Sequence, residues 1–145
     1  MSGRPPAASR SPTQRTARTI AIVTALAWIG FGGWLIVQPR AVPTAFGVDT
    51  VTDAFAAELR AFYGGLELGL GIALLLLVRR RLWTAAMLVG GATLLGTAIA
   101  RTLGVLLDAW TPMLGLLGSL EYLGAAVNLW AARQLDREAL RNEHA

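Results

Sequence analysis

The feature that most constrains this chain is a long apolar segment that carries ionisable side chains. Residues 58–78 read ELRAFYGGLELGLGIALLLLV, and three arginines follow directly at positions 79–81. A helix needs about 20 mainly apolar residues to cross the ~30 Å hydrocarbon core of a bilayer. Ionisable groups inside such a helix are costly, and they normally face the protein interior, where they pair or serve a function. The segment therefore predicts a membrane-spanning helix with one polar face.

Wound as an α-helix at 100° per residue, the segment has two distinct faces. One face carries the polar side chains and two glycines, namely Arg60, Tyr63, Gly64, Glu67 and Gly71. The opposite face carries a G-x-x-x-G pair, Gly65 and Gly69. Such a pair predicts close packing, either against a helix of the same chain or against a second copy in a homo-oligomer. Gly64 and Gly71 leave room beside Glu67 for a partner backbone, water or a ligand.

Three further apolar runs complete a four-span pattern. The predicted spans are residues 19–37, 54–78, 82–107 and 113–132, and short loops with prolines or charges join them. Short connections favour antiparallel neighbours. The predicted fold class is therefore all-α, an integral membrane four-helix bundle of up-down topology. The first run is longer than the apolar core of a signal peptide, and no clear cleavage site follows it.

The segments at the two ends of the chain are polar. Residues 1–18 combine proline, serine and arginine without an acidic residue, which predicts a disordered basic tail. Such a tail can simply orient the first helix, although a targeting peptide or a lipid-binding arm has a similar composition. Residues 133–145 form a short charged tail.

The positive charges predict the orientation of the chain. All 13 basic residues are arginines, and 10 of them lie at the ends of spans on one side of the predicted membrane. The loops on the other side contain only Arg40. The positive-inside rule therefore places both termini in the cytoplasm.

The composition excludes several classes of function. The chain has no cysteine, which excludes disulfides, thiol redox chemistry and thiolate zinc sites. Its one histidine, His144, is next to the C-terminus, so histidine-ligated haem or metal in the membrane is excluded as well. We expect no cofactor and no metal. The sequence pI near 11.0 reflects topology and not nucleic-acid binding, because base-reading side chains are not interleaved with the arginines.

Ionisable residues of three spans are predicted to converge. Glu67 and Glu121 each lie twelve residues before a cytoplasmic arginine, which places both ~18 Å from that interface. Arg60 and Arg101 lie nearer the outer edge, and the tilt of side chains toward the helix N-terminus directs the carboxylates and Arg101 toward one another. We expect an electroneutral cluster of these four residues, with Arg101 paired to Glu121.

Further polar residues complete the predicted cluster, and alternatives to it stay open. Tyr63 and Thr97 are expected to add hydrogen bonds, and Asn128 shares the face of the last span that carries Glu121. The two arginines could instead extend to headgroup phosphates. The two glutamates could instead be protonated structural groups that form hydrogen bonds between helices.

These residues together resemble a known family. Residues 60–65 read RAFYGG and are followed by Gly69 and Gly71, by R-x-x-G-x-x-x-D at residues 101–108, and by Glu121. In this combination the chain resembles an uncharacterised family of small four-span bacterial membrane proteins, known as a domain of unknown function. The resemblance covers about residues 20–132, with Ala109 where a glycine is expected. It implies the bacterial plasma (inner) membrane, the four-span topology and a common role for these residues, but no activity.

Three classes of function are compatible with the sequence. The first is a non-enzymatic binding or accessory protein whose outward-facing polar cleft takes a small polar or lipid-headgroup ligand. The second is a proton-coupled transport element that works as an oligomer and passes a proton between Glu67 and Glu121. The third is a membrane enzyme acting on lipid or isoprenoid substrates, which no nucleophile, metal set or phosphate loop supports. We expect the first, with the lipid bilayer as the surrounding partner.

Overall fold

The computed structural model describes residues 11–144, and no strand occurs within that range. The helices are α1 (Pro12–Val37), α2 (Ala41–Ala45), α3 (Asp53–Arg79), α4 (Trp83–Leu107) and α5 (Pro112–Glu143). By length and composition, α1, α3 and α4 are able to cross a membrane. The prediction of an all-α protein with apolar, membrane-compatible helices is confirmed.

Helix α5 differs from the other long helices because it is part apolar and part charged. It is 32 residues long and contains the whole predicted span 113–132. It then continues without a break through most of the charged tail, ending at Glu143. Helix α5 is not one of the three helices that are long and apolar enough to cross a membrane. The fourth span therefore stays a prediction.

Helix α1 begins earlier than the sequence predicts. The Ser11 hydroxyl accepts a hydrogen bond from the Gln14 backbone N–H at 3.2 Å, and Pro12 occupies the first turn. Serine at the N-cap followed by proline is a strong helix start. The prediction of disorder is therefore wrong for residues 12–18, while residues 1–10 lie outside the described part of the chain. The first turns are stabilised by packing, since Ala17 is 1% exposed and belongs to the hydrophobic core.

Helix α3 contains a π-helical segment at Leu59–Gly65. It covers the whole RAFYGG motif, and regular α-helix flanks it on both sides. A π-helix forms i→i+5 hydrogen bonds, so residues across it do not keep the angular spacing of an α-helix. The predicted common face of residues 60–71 is therefore interrupted between Arg60 and Glu67.

The four long helices meet at one end of the molecule, which we call the arginine-rich end because Arg18, Arg79–Arg81 and Arg133 lie there. One hydrophobic cluster joins all four helices, with Ala17, Ala21 and Ala25 from α1, Leu74 and Val78 from α3, Ala86 and Met87 from α4, and Ala131, Ala132 and Leu135 from α5. Its many alanines let the helix backbones approach closely.

Beyond this cluster the contacts divide into two antiparallel helix pairs. In the first pair, Gly71 of α3 lies against Ala25 and Ile29 of α1, and Gly64 lies against Ile36. In the second pair, α4 packs along α5 from Gly91 beside Leu129 to the side chains of Arg101 and Glu121. The polar residues of the predicted cluster therefore lie on two arms, the α1–α3 pair and the α4–α5 pair, which are joined by the hydrophobic cluster at the arginine-rich end.

Candidate functional site

Arg101 of α4 and Glu121 of α5 form a bidentate ion pair. The Arg101 Nε donates to Glu121 Oε2 at 2.9 Å, and Nη2 donates to Oε1 at 2.5 Å. The two side chains are 25% and 16% exposed. Two parallel hydrogen bonds of this kind are the strongest arrangement of a guanidinium and a carboxylate. The predicted pairing of these residues is confirmed.

The antiparallel packing of α4 and α5 explains why these residues meet. Helix α4 ends at Leu107 and α5 begins at Pro112, so the short connection keeps the helices side by side. One residue further along each helix, the Thr102 and Tyr122 hydroxyl oxygens lie 3.0 Å apart and form a second interhelical hydrogen bond. The opposed tilts of the two helices' side chains account for the reach of Arg101.

Glu67 of α3 lies near this ion pair but is not part of it. Its carboxyl group is close enough to Glu121 for the two to interact electrostatically. The side chain is partly buried, and its Oε2 atom is fully buried without a hydrogen-bond partner among the described residues. Because a buried polar atom normally has a partner, the Glu67 carboxyl group has unused hydrogen-bonding capacity. The site therefore contains two carboxyl groups and one guanidinium.

Arg60 does not join the carboxyl groups, contrary to the prediction. Its Nε donates to the backbone carbonyl of Ile36 at 2.8 Å. Ile36 is in the last turn of α1, where carbonyl groups lack helical partners and attract cations. Arg60 therefore caps the C-terminus of α1, because the π-helical segment and the neighbouring α1 terminus place its guanidinium there.

Tyr63 and Thr97 also lie apart from the ion pair, which corrects their predicted place in the hydrogen-bond network. The Tyr63 side chain is 52% exposed and packs edge to face on Phe62, with ring centroids 5.6 Å apart. The Thr97 hydroxyl donates to the Leu94 carbonyl of its own helix at 2.9 Å. Among the described residues, neither hydroxyl group bonds to the charged groups of the site.

Asn128 is nearly fully buried, at 1% exposure, and links α5 to α1. Its Nδ2 donates to Thr24 Oγ1 at 3.2 Å and to the Gly124 carbonyl at 2.8 Å. Its Oδ1 is buried without a partner among the described residues and faces Gly90. Asn128 thus contributes to helix association, and Thr24 is a polar partner that the sequence analysis did not identify.

The glycines of α3 divide into two groups, as their positions predict. Gly64 and Gly71 pack against α1, where a Cβ on Gly71 would lie 2.7 Å from the Ala25 carbonyl oxygen. The room beside Glu67 is therefore filled by a partner backbone, and Gly32 of α1 is the matching residue that the sequence analysis missed. A Cβ on Gly69 would meet nothing within 4 Å, and one on Gly65 would approach only the Arg60 carbonyl. No helix among residues 11–144 covers this face, and packing against a second copy stays a prediction.

In the part of the chain that the structure describes, these charges do not form a metal site. Among residues 11–144, no group of three or more His, Cys, Asp and Glu side chains is placed to hold a metal ion. An open hollow of about 240 Å³ lies at the arginine-rich end, between the start of α1 and Trp130 of α5. It does not touch Glu67 or the ion pair.

Comparison with known proteins identifies a family. A family model described as "Domain of unknown function (DUF4345)" matches residues 16–138, a range that includes every site residue described above. No curated protein and no solved structure matches the chain. The match covers most of the chain and confirms the resemblance to an uncharacterised family, so the protein belongs to the DUF4345 family.

Proposed function

We propose that the protein crosses the bacterial plasma membrane four times, as an up-down bundle with both termini in the cytoplasm. The apolar α1, α3 and α4, together with residues 113–132 of α5, supply the four spans. The arginine-rich end supports this orientation, because cytoplasmic loops and termini carry the excess of arginine. The opposite end contains Arg40, which is paired with Asp53.

Single cysteines at Thr50 and Asn142 test this threading, because the chain has no native cysteine. Thr50 lies in the loop before α3 and Asn142 near the end of α5, and both are exposed. In intact cells, an impermeant maleimide should label position 50 and spare position 142. Permeabilised cells should show both labels, which controls for reactivity. Labelling of position 142 alone in intact cells would reverse the proposed orientation.

We infer that the protein is a non-enzymatic binding or accessory protein, and that Glu67 is its ligand-binding group. The observation that supports this is the buried Glu67 Oε2 without a partner, close to an ion pair that is already complete. Arg60 and Arg101 are both engaged, by a helix terminus and by a carboxylate respectively. At the site itself the Arg101 guanidinium is held by the Glu121 carboxylate, so an anionic ligand would compete with that carboxylate, whereas a donor of hydrogen bonds would find a free carboxyl oxygen.

The division of the site between the two arms supports a ligand position between them. Glu67 lies on the α1–α3 arm and the ion pair lies on the α4–α5 arm, and the shared hydrophobic cluster is confined to the arginine-rich end. A ligand between the arms would contact Glu67 on one side and the α4–α5 arm with its ion pair on the other. We therefore propose a small organic cation or a hydroxyl-bearing molecule, either free or as part of a lipid headgroup.

Proton transport requires a different use of the same residues, and the ion pair disfavours it. The Glu121 carboxylate accepts two hydrogen bonds from Arg101, so Glu121 could carry a proton only if this ion pair broke. Glu67 alone would then have to carry the proton. An oligomer through Gly65 and Gly69 would be needed to build a longer pathway.

Thermal unfolding of the purified protein in detergent tests the binding proposal. Ethanolammonium and glycerol serve as the cationic and hydroxyl probes, and inorganic phosphate serves as the anion. A ligand at a hundred times its Kd adds about 2.7 kcal/mol to the stability of the protein. We expect one of the first two probes to raise the Tm of the native protein and to have little effect on Glu67→Gln. Glu58→Gln is the matched control, because Glu58 is an exposed glutamate of the same helix.

Two outcomes would contradict the proposal. In the first, the stabilisation persists in Glu67→Gln, which would place the ligand elsewhere. In the second, phosphate stabilises the protein and the cationic and hydroxyl probes do not, which would show that a guanidinium and not Glu67 is the binding group.

A further inference from the structure

The turn between α3 and α4 places an arginine in a backbone conformation that favours glycine. Arg81 has φ 61°, in the left-handed region. The Leu82 N–H donates to the Leu77 carbonyl at 3.0 Å, and the Arg81 N–H donates to the Val78 carbonyl at 3.1 Å. This pair of bonds is the Schellman motif, in which the left-handed residue is usually glycine. A side chain at this position strains the backbone, so the arginine at position 81 carries a local cost in conformational energy.

The arginines of this turn have no ionic partner in the described part of the chain. Arg79, Arg80 and Arg81 are all exposed, and the ion pairs found among residues 11–144 use other arginines. Five more exposed arginines lie at the same end of the molecule, at positions 15, 18, 133, 137 and 141. Only three carboxylates of the described residues lie near them, at positions 136, 138 and 143. This end therefore has a marked excess of positive charge.

Apolar side chains flank the three arginines. Leu76 precedes them and is 52% exposed, and Leu82 follows them and is 49% exposed. Trp83 comes next and is partly buried against the hydrophobic cluster. Tryptophan beside arginine at the end of an apolar helix is typical of the bilayer interface. The turn thus offers guanidinium groups at headgroup level and exposed leucines toward the acyl chains.

We propose that the Arg79–Arg81 turn binds the phosphate of an anionic phospholipid, and that this binding is the reason for an arginine at position 81. Guanidinium groups bind phosphate oxygens through paired hydrogen bonds. The adjacent leucines favour a lipid over a soluble phosphate, because they contact the acyl chains of a lipid whose headgroup is at the turn. The proposal depends on the membrane location of the turn and is independent of a ligand at Glu67.

The test compares the full chain in nanodiscs of phosphatidylcholine alone with nanodiscs that also contain phosphatidylglycerol. We expect the native protein to have a higher Tm with phosphatidylglycerol and to retain that lipid in native mass spectrometry. Arg81→Gly should raise the Tm by about 2 °C in pure phosphatidylcholine, since it relieves the strain. The same variant should show a smaller rise in Tm with phosphatidylglycerol than the native protein. The affinity for this lipid should fall about fivefold for each arginine removed.

Two further variants separate charge from backbone strain and from general electrostatics. Arg80→Gln removes a charge of the turn without changing the left-handed residue, and it should also weaken the phosphatidylglycerol effect. Arg40→Gln removes an exposed arginine at the opposite end and should leave that effect unchanged. The proposal is wrong if Arg80→Gln and Arg81→Gly keep the full gain, or if Arg40→Gln loses as much as they do. An equal gain from inorganic phosphate in detergent would also overturn it, because the site would then bind soluble phosphate.

Discussion

Replacing Arg101 with leucine should lower the free energy of unfolding by about 3 to 5 kcal/mol, the largest loss that we expect from one substitution in this chain. The substitution removes both hydrogen bonds to the Glu121 carboxylate, whose side chain is 16% exposed. A partly buried carboxylate without its partner is much more costly than the pair itself is stabilising. The measurement is unfolding in detergent by heat or denaturant, with helix content as the signal.

Arg40→Leu is the matched control for this prediction. Arg40 also pairs with a carboxylate, that of Asp53, but the side chains of this pair are 50% and 101% exposed. Exposed ion pairs contribute about 0 to 1 kcal/mol, so the control should change stability little. Similar losses for both arginine substitutions would mean that burial of the Arg101–Glu121 pair has no energetic consequence.

Replacing Gly32 with alanine should destabilise the α1–α3 pair by about 1 to 3 kcal/mol. A Cβ at position 32 would lie 2.6 Å from the Leu68 backbone nitrogen and 2.7 Å from the Gly64 carbonyl oxygen. Both atoms belong to the backbone of α3, so the helices would have to separate. Separation would also move Glu67, whose Cβ lies 3.1 Å from the same point. The expected result is a lower Tm in detergent together with weaker binding of the Glu67 ligand.

Gly33→Ala is the control for Gly32→Ala, because a Cβ at Gly33 would meet nothing within 4 Å. Alanine has a higher helix propensity than glycine by about 1 kcal/mol, so Gly33→Ala should be neutral or stabilising. The opposite signs of two adjacent and chemically identical substitutions would identify the close helix contact. Equal changes in stability from both substitutions would show that α1 and α3 are farther apart at Gly32 than the structure indicates.

The sequence predicts the bounds of α3 and α4 well, because charged residues border both of their apolar runs. The predicted span 54–78 corresponds to Asp53–Arg79, and the predicted span 82–107 corresponds to Trp83–Leu107. The pairing of Arg101 with Glu121 is predictable for the same reason, since two antiparallel helices joined by a short turn have one register. Such inferences need only the helix rise and the direction of the side chains.

Other features depend on contacts that the sequence does not express. The π-helical segment Leu59–Gly65 changes the angular position of Arg60 relative to Glu67, and no periodicity in the sequence marks it. The hydrogen bond between Asn128 and Thr24 requires α1 to lie beside α5. The predicted positions of the spans along the sequence do not determine which helices are neighbours. The early start of α1 depends on the burial of Ala17, whereas the composition of residues 1–18 predicts disorder.

Glu67 is predictable as a polar centre but not as the residue left without a partner. The sequence predicts two arginines for two glutamates and hence an electroneutral group. In the structure Arg60 binds a helix terminus, so one guanidinium remains for Glu121 and none for Glu67. This difference is the basis of the proposed function, because it converts a closed cluster into a site with a free carboxyl group.

The most direct test of this account is a pair of double-mutant cycles that share Arg101→Leu, one with Glu121→Gln and one with Glu67→Gln, measured as unfolding free energies in detergent. Residues in contact typically show coupling energies of about 0.5 to 3 kcal/mol, whereas independent residues add to within about 0.5 kcal/mol. We predict strong coupling of Arg101 to Glu121 and much weaker coupling to Glu67, which interacts with the pair only through Glu121. Coupling to Glu67 as strong as that to Glu121 would contradict the account, because Glu67 would then be part of the ion pair and would not be free to bind a ligand.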